Sequence, residues 1–237
     1  MILLDGKTLS QQILNSLTFS NTSLHVILVG DDPSSLKYVS LKEKKCLEVG
    51  VKFTLHHLLD DSTLPFLINQ LNTDPSVSGF FIQLPIKNKE LLKLISPQKD
   101  VDGLNPDSSF KPAVVIGIIK LLENYHLDFA NKKIVIINDS DLIGKPLKEH
   151  FISAILCNDQ TKDLSAITQT ADLLISATGT KNIITADMVK DGAVVIDVAN
   201  GDVDFEHVSP KCSYITPTFG GVGPMTIASL LYNLSLV

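Results

Sequence analysis

Residues 133–147 read KIVIINDSDLIGKPL, and they give the clearest local sign of how the chain folds. An apolar run at Lys133–Ile137 leads through a polar turn into a segment that begins at Gly144 and has helical character. A strand, a tight turn and a helix form the repeating unit of parallel α/β sheets, and a dinucleotide pyrophosphate binds at the N-terminus of such a helix. The motif G-x-G-x-x-G is absent and only Gly144 remains, so spacing alone favours an ordinary strand–helix turn.

The same alternation runs along the whole chain. The predicted strands are continuous apolar runs, which is typical of parallel strands covered on both faces by helices. One helix has a well-marked start, because Asp32 is a good N-cap residue and Pro33 suits the first turn. The predicted strands are His25–Val29, Val51–Leu58, Gly79–Leu84, Lys133–Ile137, Ala154–Cys157, Leu173–Ala177 and Ala193–Val198. The predicted helices lie at residues 7–18, 33–49, 64–71, 88–95, 114–125, from 144, 164–171, 186–190 and 225–234.

A turn-rich, acidic loop from Pro97 to Pro106 separates two series of strands and helices. We therefore predict an α/β fold of two domains, with the boundary near residues 107–113. The first domain is expected to span residues 1–110. The second is expected to be a Rossmann-like nucleotide-binding domain with a largely parallel sheet, spanning residues 111–223.

The composition excludes several classes of protein. The net charge is -6 and the pI is about 5.4, which argues against nucleic acid as a partner. We expect no membrane association, because no apolar stretch approaches the length of a membrane span, and no signal peptide, because the opening run MILL is short and lacks a basic flank. The three cysteines are far apart and form no C-x-x-C pair, which favours a reducing cytoplasm and argues against a zinc site.

Tyr38 and Lys42 lie four residues apart on a predicted helix and therefore project from one face. A lysine beside a phenol acts as a general acid or base if burial lowers its pKa. Spacing alone favours the simpler interpretation of a solvated basic face, because Lys44 and Lys45 follow closely. Short-chain dehydrogenases also use Tyr-x-x-x-Lys, but a glycine-rich turn precedes the tyrosine in that family, and residues 1–37 here contain only Gly6 and Gly30.

Four segments, in order, carry a more specific resemblance. They are VGDDPSSLKYVSLKEKKCLEVGV at 29–51, GFFIQLPI at 79–86, SPQKDVDGLNP at 96–106 and YITPTFGGVGPMTIASLLYNL at 214–234. Together they resemble the methylenetetrahydrofolate dehydrogenase/cyclohydrolase family over nearly the whole chain, and KDVDG is especially characteristic. The resemblance implies a cleft between two domains, a final helix at 224–237 that packs back on the first domain, and a homodimer.

The resemblance also implies roles for residues at matching positions. Lys42 would be the catalytic lysine for hydrolysis of the methenyl bridge, and Gln83 would hydrogen-bond it. Tyr38 would stack on the aminobenzoyl ring of the folate, and Asp102 would bind the pterin through a charge-assisted contact. No metal is required. The remaining substrate-binding residues implied in this way are Leu84, Pro85, Gly220, Gly221 and Pro224.

On the nucleotide side, the resemblance implies NAD or NADP as the cofactor and departs from the family pattern in places. DSDLIGKP matches the family motif at Ser140, Gly144 and the following Lys-Pro, but Asn138 replaces a glycine and Asp139 an arginine. Asp159 lies where an acidic residue accepts hydrogen bonds from a free ribose 2′-OH and repels a 2′-phosphate, so we predict a preference for NAD. The predicted cofactor-binding residues are Asn138, Asp139, Ser140, Ile143, Gly144, Asp159, Thr161, Gly179 and Ala199.

Three functions are compatible with these features. The first is a bifunctional enzyme that oxidises methylenetetrahydrofolate with a nicotinamide cofactor and hydrolyses the methenyl product to formyltetrahydrofolate. The second is a cyclohydrolase whose dehydrogenase step has decayed, as the changes at Asn138, Asp139, Asp159 and Ala199 suggest. The third is a non-catalytic folate-binding protein, against which the joint presence of Lys42, Gln83 and Asp102 argues.

Overall fold

A computed structural model describes all 237 residues of the chain as an α/β protein with two parallel sheets. The strands are β1 Ile2–Leu3, β2 Ser23–Val29, β3 Lys52–Leu58, β4 Gly79–Ile82, β5 Ile134–Ile137, β6 Ile155–Cys157, β7 Leu173–Ser176, β8 Val194–Asp197 and β9 Tyr214–Ile215. The α-helices are α1 Gly6–Ser16, α2 Pro33–Glu48, α3 Leu64–Thr73, α4 Ala113–Asn124, α5 Gly144–His150, α6 Leu164–Thr168, α7 Phe205–Val208 and α8 Val222–Leu234. Short 3-10 helices lie at Lys89–Leu94, Ala186–Met188 and Ser209–Lys211.

The chain forms two compact units. The three-stranded unit comprises residues Gln12–Ala113 and Ile227–Val237, and the six-stranded unit comprises Met1–Gln11 and Val114–Thr226. The predicted first domain, residues 1–110, differs from the three-stranded unit in its first eleven residues, which belong to the six-stranded unit. Their strand β1 pairs in parallel with β9 and so joins the six-stranded sheet, and a two-residue strand carries too little pattern to reveal its partner.

In the three-stranded unit, β2 is the central strand, with β3 on one side and β4 on the other. Every residue of β4 is buried. Helix α2 begins as predicted: the Asp32 carboxylate accepts a hydrogen bond from the Ser35 N–H at 2.7 Å, and Pro33 occupies the first turn. The helix ends before Gly50, whose positive φ of 80° suits glycine.

The six-stranded sheet has the order β1-β9-β8-β7-β5-β6, with every pair parallel. Strand β5 lies between β6 and β7. The chain therefore adds β6 on one side of β5 and then crosses over to add β7 on its other side. This reversal is the topological switch point of doubly wound sheets, and ligands bind at the carboxyl ends of the strands there. Strands β5, β7 and β8 are fully buried, as their apolar runs predict.

The fold class predicted from the sequence is confirmed, with differences in detail. The predicted helices at 88–95 and 186–190 are 3-10 helices, and Asn88 caps the first of them through its side chain. Helix α7 and strand β9 were not predicted, because both are too short to show periodicity. None of the helices combines the length and apolar character needed to span a membrane.

Candidate active site

Helix α2 directs Lys42 into the interior of the three-stranded unit. The buried residues of the helix are Ser35, Val39, Lys42 and Cys46, which form one stripe at helical spacing. Lys42 is 6% exposed although it belongs to this stripe. The solvated basic face that spacing alone favoured is therefore wrong for Lys42. Lys44, two residues later, is exposed as that interpretation expects.

Three groups surround the ammonium of Lys42. Its Nζ donates a hydrogen bond to Gln83 Oε1 at 3.0 Å and lies 3.9 Å from Asp102 Oδ2. It also lies 4.0 Å from the centroid of the Phe81 ring. The Gln83 amide is fixed, because its Nε2 donates to the Leu84 carbonyl at 2.9 Å and so leaves Oε1 facing the lysine. The structure thus brings together Lys42, Gln83 and Asp102, which lie far apart in sequence.

The electrostatics of this cluster are set by burial. Desolvation lowers the pKa of Lys42, and the nearby Asp102 carboxylate acts in the opposite direction. Desolvation likewise raises the pKa of Asp102, opposed by the charge on Lys42. Each charged group therefore compensates part of the other's loss of hydration. Burial thus shifts the pKa values of the lysine and the carboxyl towards each other, which favours proton exchange compared with the same groups in water.

The loop that carries Asp102 is held against strand β4. Asp100 forms an isolated bridge with Phe80, and the Phe80 N–H donates to the Lys99 carbonyl at 2.8 Å. A Cβ on Gly79 would lie 2.5 Å from Val101 Cγ1, so a glycine is needed for this approach. On the other side, Asn233 Nδ2 in α8 donates to the Val101 carbonyl at 2.9 Å. Asp102 thus projects from a loop that is fixed on two sides.

Asp100 is a second buried carboxyl in this loop, and the sequence did not single it out. It is fully buried, its Oδ2 accepts a hydrogen bond from the Asn105 N–H at 2.7 Å, and its Oδ1 has no partner. Burial, with a smaller contribution from the Asp102 charge, raises the pKa of Asp100 to about 6. The signal that identifies it is its position two residues before Asp102 in the same tight loop.

Replacing Asp100 with asparagine is expected to stabilise the protein above pH 6. Because the folded-state pKa of Asp100 is raised, the carboxyl favours folding when protonated, and this contribution is lost as the pH rises through about 6. The amide oxygen still accepts from Asn105. We expect Asp100→Asn to be more stable than wild type by about 1–3 kcal/mol at pH 8 and to lose most of this advantage near pH 4. Urea unfolding at both pH values measures the difference. Asp107→Asn, at an exposed position of the same loop, is the control, and an equal gain there would contradict the assignment.

The other residues predicted to bind substrate fall into both units. Tyr38 lies one turn before Lys42 on α2 and is 36% exposed, and Leu84 and Pro85 follow Gln83 directly and are joined by a cis peptide bond. Gly220, Gly221 and Pro224 belong to the six-stranded unit, in the loop and first turn of α8. Gly220 has a positive φ of 89°.

The turn after β5 closes around the side chain of Asn138. Its Oδ1 accepts hydrogen bonds from the N–H groups of Ser140 and Gly144, at 2.9 and 3.0 Å, and from the Ser140 hydroxyl at 2.6 Å. Its Nδ2 donates to the Ala177 carbonyl at 2.8 Å. Any Cβ on Gly144 would overlap the Asn138 carbonyl, so the tight turn requires glycine there. Asn138 therefore organises the turn and connects it to the loop after β7.

The predicted cofactor residues all follow strands at the carboxyl edge of the six-stranded sheet. Asp139 Oδ2 accepts from Asn158 Nδ2 at 2.9 Å, which joins the loops after β5 and β6. Thr161 Oγ1 accepts from the Asn158 N–H at 2.9 Å, and Asp159 is exposed beside it. Ile143 immediately precedes α5 and is half-buried, Gly179 follows β7 with a φ of 73°, and Ala199 follows β8. Gly179 and Ala199 make no hydrogen bond to the other members of this set.

Two buried carboxylates at the same edge were missed by the sequence. Asp202 Oδ2 accepts from the Ser176 hydroxyl and the Thr178 N–H, both at 2.6 Å. Asp197 Oδ2 accepts from the N–H groups of Gly201 and Val203, at 2.8 and 3.2 Å. They fix the loops after β7 and β8 from within. No group of three or more His, Cys, Asp or Glu side chains has a spacing suited to a metal ion.

The six-stranded unit fits a dinucleotide in two respects. The predicted residues lie at the edge of the sheet and next to the switch point where parallel sheets bind such ligands. Gly144 has no side chain, so the turn after β5 is tight and the N-terminus of α5 is open to a pyrophosphate.

Comparisons with known proteins agree with both units. Residues 4–102 match the tetrahydrofolate dehydrogenase/cyclohydrolase catalytic domain, and residues 112–237 match the NAD(P)-binding domain of the same family. The chain is 44% identical to the bifunctional protein FolD of Campylobacter jejuni strain RM1221, over 98% of this chain and 96% of that protein. It is 42% identical to the same protein of Wolinella succinogenes, over 98% and 95%.

Solved structures give the same result. The bifunctional FolD methylenetetrahydrofolate dehydrogenase/cyclohydrolase of Campylobacter jejuni superposes with a TM-score of 0.92 at 41% identity, covering 100% of this chain and 98% of that one. A 5,10-methylenetetrahydrofolate dehydrogenase from the silkworm Bombyx mori superposes with a TM-score of 0.87 at 31% identity, covering 99% and 97%. With both family domains matched over nearly its whole length, the chain belongs to the tetrahydrofolate dehydrogenase/cyclohydrolase family of enzymes.

Proposed function

We propose that this protein oxidises methylenetetrahydrofolate with a nicotinamide cofactor and hydrolyses the methenyl product to formyltetrahydrofolate, with Lys42 as the central catalytic residue. The observation that carries the assignment of residues is the buried cluster in which Lys42 Nζ contacts Gln83 Oε1 at 3.0 Å and Asp102 Oδ2 at 3.9 Å. The Gln83 amide, fixed in orientation by its hydrogen bond to the Leu84 carbonyl, holds the ammonium in one place, as a catalytic role requires.

For both reactions at the bridging carbon, the main task of the protein is to position the substrate, the water and the proton donors. The turn after β5, with Asn138, Ser140 and Gly144, would hold the nicotinamide cofactor, which when bound would supply the hydride acceptor for the bridging carbon. The resulting methenyl carbon is electrophilic, so water adds to it and one carbon–nitrogen bond breaks to leave the formyl group. Lys42, held by Gln83 as an ammonium ion, orients the water and donates a proton to the nitrogen of the bond that breaks. Of the two protons of the water, one restores the ammonium and the other leaves to solvent. Asp102 binds the pterin edge, where a carboxylate accepts two parallel hydrogen bonds, and the accessible ring of Tyr38 stacks on the folate.

Two assays on the purified protein test this function. The first follows nicotinamide absorbance with methylenetetrahydrofolate, in parallel with NAD and with NADP. The second follows the loss of methenyltetrahydrofolate absorbance above the rate without enzyme. We expect activity in both. Methenyl hydrolysis at only the uncatalysed rate would overturn the role of Lys42, and no reduction of either cofactor would overturn the dehydrogenase step.

We further propose that NAD is the preferred cofactor, because the loops after β5 and β6 are acidic. Asp139 and Asn158 are hydrogen-bonded to each other, and Asp159 is exposed next to them. Negative charge at this place repels a ribose 2′-phosphate and accepts hydrogen bonds from a free 2′-OH.

Changing Asp139 to asparagine is expected to raise the affinity for NADP relative to NAD about five- to tenfold, because one unit of repulsion is removed while an acceptor for Asn158 remains. Cofactor titrations by calorimetry measure the ratio. Asp191→Asn removes the same charge just before β8, at the opposite edge of the sheet, and should leave the ratio unchanged. Tighter binding of NADP than NAD by the wild-type protein would contradict the proposal.

For the remaining properties we propose a cytoplasmic homodimer that acts on small molecules and binds no nucleic acid. The acidic net charge of -6 argues against nucleic-acid binding, and the three free, buried cysteines support a reducing cytoplasm. The dimer rests on the family resemblance. Sedimentation of the purified protein measures its mass in solution, and a monomer at micromolar concentration would contradict it.

A further inference from the structure

One contact of Lys42 was not predicted from the sequence: its ammonium lies over the face of Phe81. The distance from Nζ to the ring centroid is 4.0 Å, well within the range of a cation–π interaction. Phe81 lies in the middle of strand β4 and is fully buried, and Lys42 is 6% exposed. The contact is therefore shielded from water, where such an attraction is strongest.

The ring is the third group at the ammonium, beside one amide oxygen and one carboxylate oxygen. A lysine ammonium has three N–H donors. Gln83 Oε1 accepts one of them at 3.0 Å, whereas Asp102 Oδ2 lies at 3.9 Å, which is an ion pair but too long for a good hydrogen bond. The negative face of the Phe81 ring attracts the cation. An aliphatic side chain of similar size would fill the same space without this attraction.

We propose that Phe81 is a positioning residue for the hydrolysis step, whose ring holds Lys42 as an ammonium ion directed at Gln83 and Asp102. The proposal rests on the proposed function of Lys42 and deepens it. Other titratable groups that face Lys42 are Asp102, from the loop after β4, and, on α2 itself, Tyr38 one turn before it and Cys46 one turn after it. Burial raises the pKa of the Cys46 thiol to about 12, so it remains neutral, and Asp102 is the only anion at the ammonium.

The neighbouring residue provides a matched control. Phe80 is also fully buried in β4 and projects from the opposite face of the strand, because side chains alternate along a strand. Phe80→Leu and Phe81→Leu remove the same atoms from equally buried positions one residue apart. Only the second removes the ring from Lys42. A general loss of stability should affect both variants alike.

The first experiment compares the pH dependence of kcat for methenyl hydrolysis in the wild type and the two leucine variants. Without the ring, burial disfavours the ammonium more strongly, so the loss of activity on the alkaline side should begin at lower pH in Phe81→Leu. We expect the activity of this variant relative to wild type to be about five- to tenfold lower at pH 9 than at pH 6.5. The activity of Phe80→Leu relative to wild type should be the same at both pH values. A constant ratio in Phe81→Leu, or equal changes in both variants, would overturn the proposal.

A second measurement separates this proposal from the function on which it rests. Trifluorophenylalanine placed at position 81 keeps the shape of the ring and weakens its negative face, so it tests the interaction even if Phe81→Leu does not fold. The Lys42 side chain is then titrated by carbon NMR of its Cε, which needs no substrate. Titration at lower pH than in the wild type supports the role of Phe81, and an unchanged titration overturns it. Absence of catalysed hydrolysis in the wild type would instead refute the proposed function, whatever the titration shows.

Discussion

Replacing Lys42 with methionine is expected to lower the rate of methenyl hydrolysis by at least a hundredfold. General acid–base groups contribute about 10²–10⁴ to the rates of enzymes, and no other cation lies in the described cluster to replace this one. Methionine has a similar length and no charge, so it fills the same buried space. Methionine avoids the cost of burying an ammonium at a position that is 6% exposed, but it leaves the buried Asp102 carboxylate without its cation, so a lower stability than wild type is expected.

The control for this prediction is Lys44→Met, an exposed lysine on the same helix. It removes one positive charge from α2 without touching the cluster, and its hydrolysis rate should stay within about twofold of wild type. Stopped-flow absorbance of the methenyl compound gives the rates, and circular dichroism verifies the fold. Wild-type hydrolysis in Lys42→Met would refute the assigned role, and an equal loss in Lys44→Met would reduce the effect to surface charge.

Replacing Gly144 with alanine is expected to weaken nicotinamide-cofactor binding by at least about thirtyfold and to lower the stability by about 2–4 kcal/mol. The added methyl group would overlap the backbone carbonyl of Asn138, and backbone cannot move aside as a side-chain end does. The turn would have to open. The hydrogen bond from the Gly144 N–H to Asn138 Oδ1, and with it the shape of the turn, would be lost.

Gly223→Ala is the control for this change, because a Cβ there meets nothing within 4 Å and alanine favours helix α8. Thermal unfolding should show a lower Tm for Gly144→Ala and no decrease for Gly223→Ala. Cofactor titration completes the comparison. A Gly144→Ala protein with wild-type Tm and wild-type cofactor affinity would show that this turn takes no part in binding.

The sequence predicts much of the fold because most elements carry a local signal. Helix α2 begins at Asp32 and Pro33 and ends before Gly50. Asp32 caps the helix, Pro33 suits its first turn, and Gly50 adopts a positive φ. The buried strands of the six-stranded sheet are bare apolar runs. Strands β1 and β9 escaped prediction because two residues have no period, and their pairing joins parts of the chain more than two hundred residues apart.

The site was less accessible from local pattern. Lys42 was identified through family resemblance, since its own neighbours Lys44 and Lys45 suggested a solvated face. Its contact with Phe81 depends on how α2 packs on β4, which no spacing along the chain encodes. The same holds for the raised pKa of Asp100, which follows from burial. Long-range packing decides both properties, so they appear only when the three-dimensional arrangement is known.

The pairing of β1 with β9 has a consequence for biosynthesis. The chain contributes its first eleven residues to one unit, the next hundred or so to the other, and then repeats the exchange, so each unit is assembled from two separate stretches. A ribosome that has released residues 1–113 has exposed a complete three-stranded sheet but not the final helix segment that ties down the Asp102 loop through Asn233. Neither unit is therefore complete until its second stretch has been synthesised. The last turns of α8 must therefore emerge before the Asp102 loop gains its hydrogen bond from Asn233.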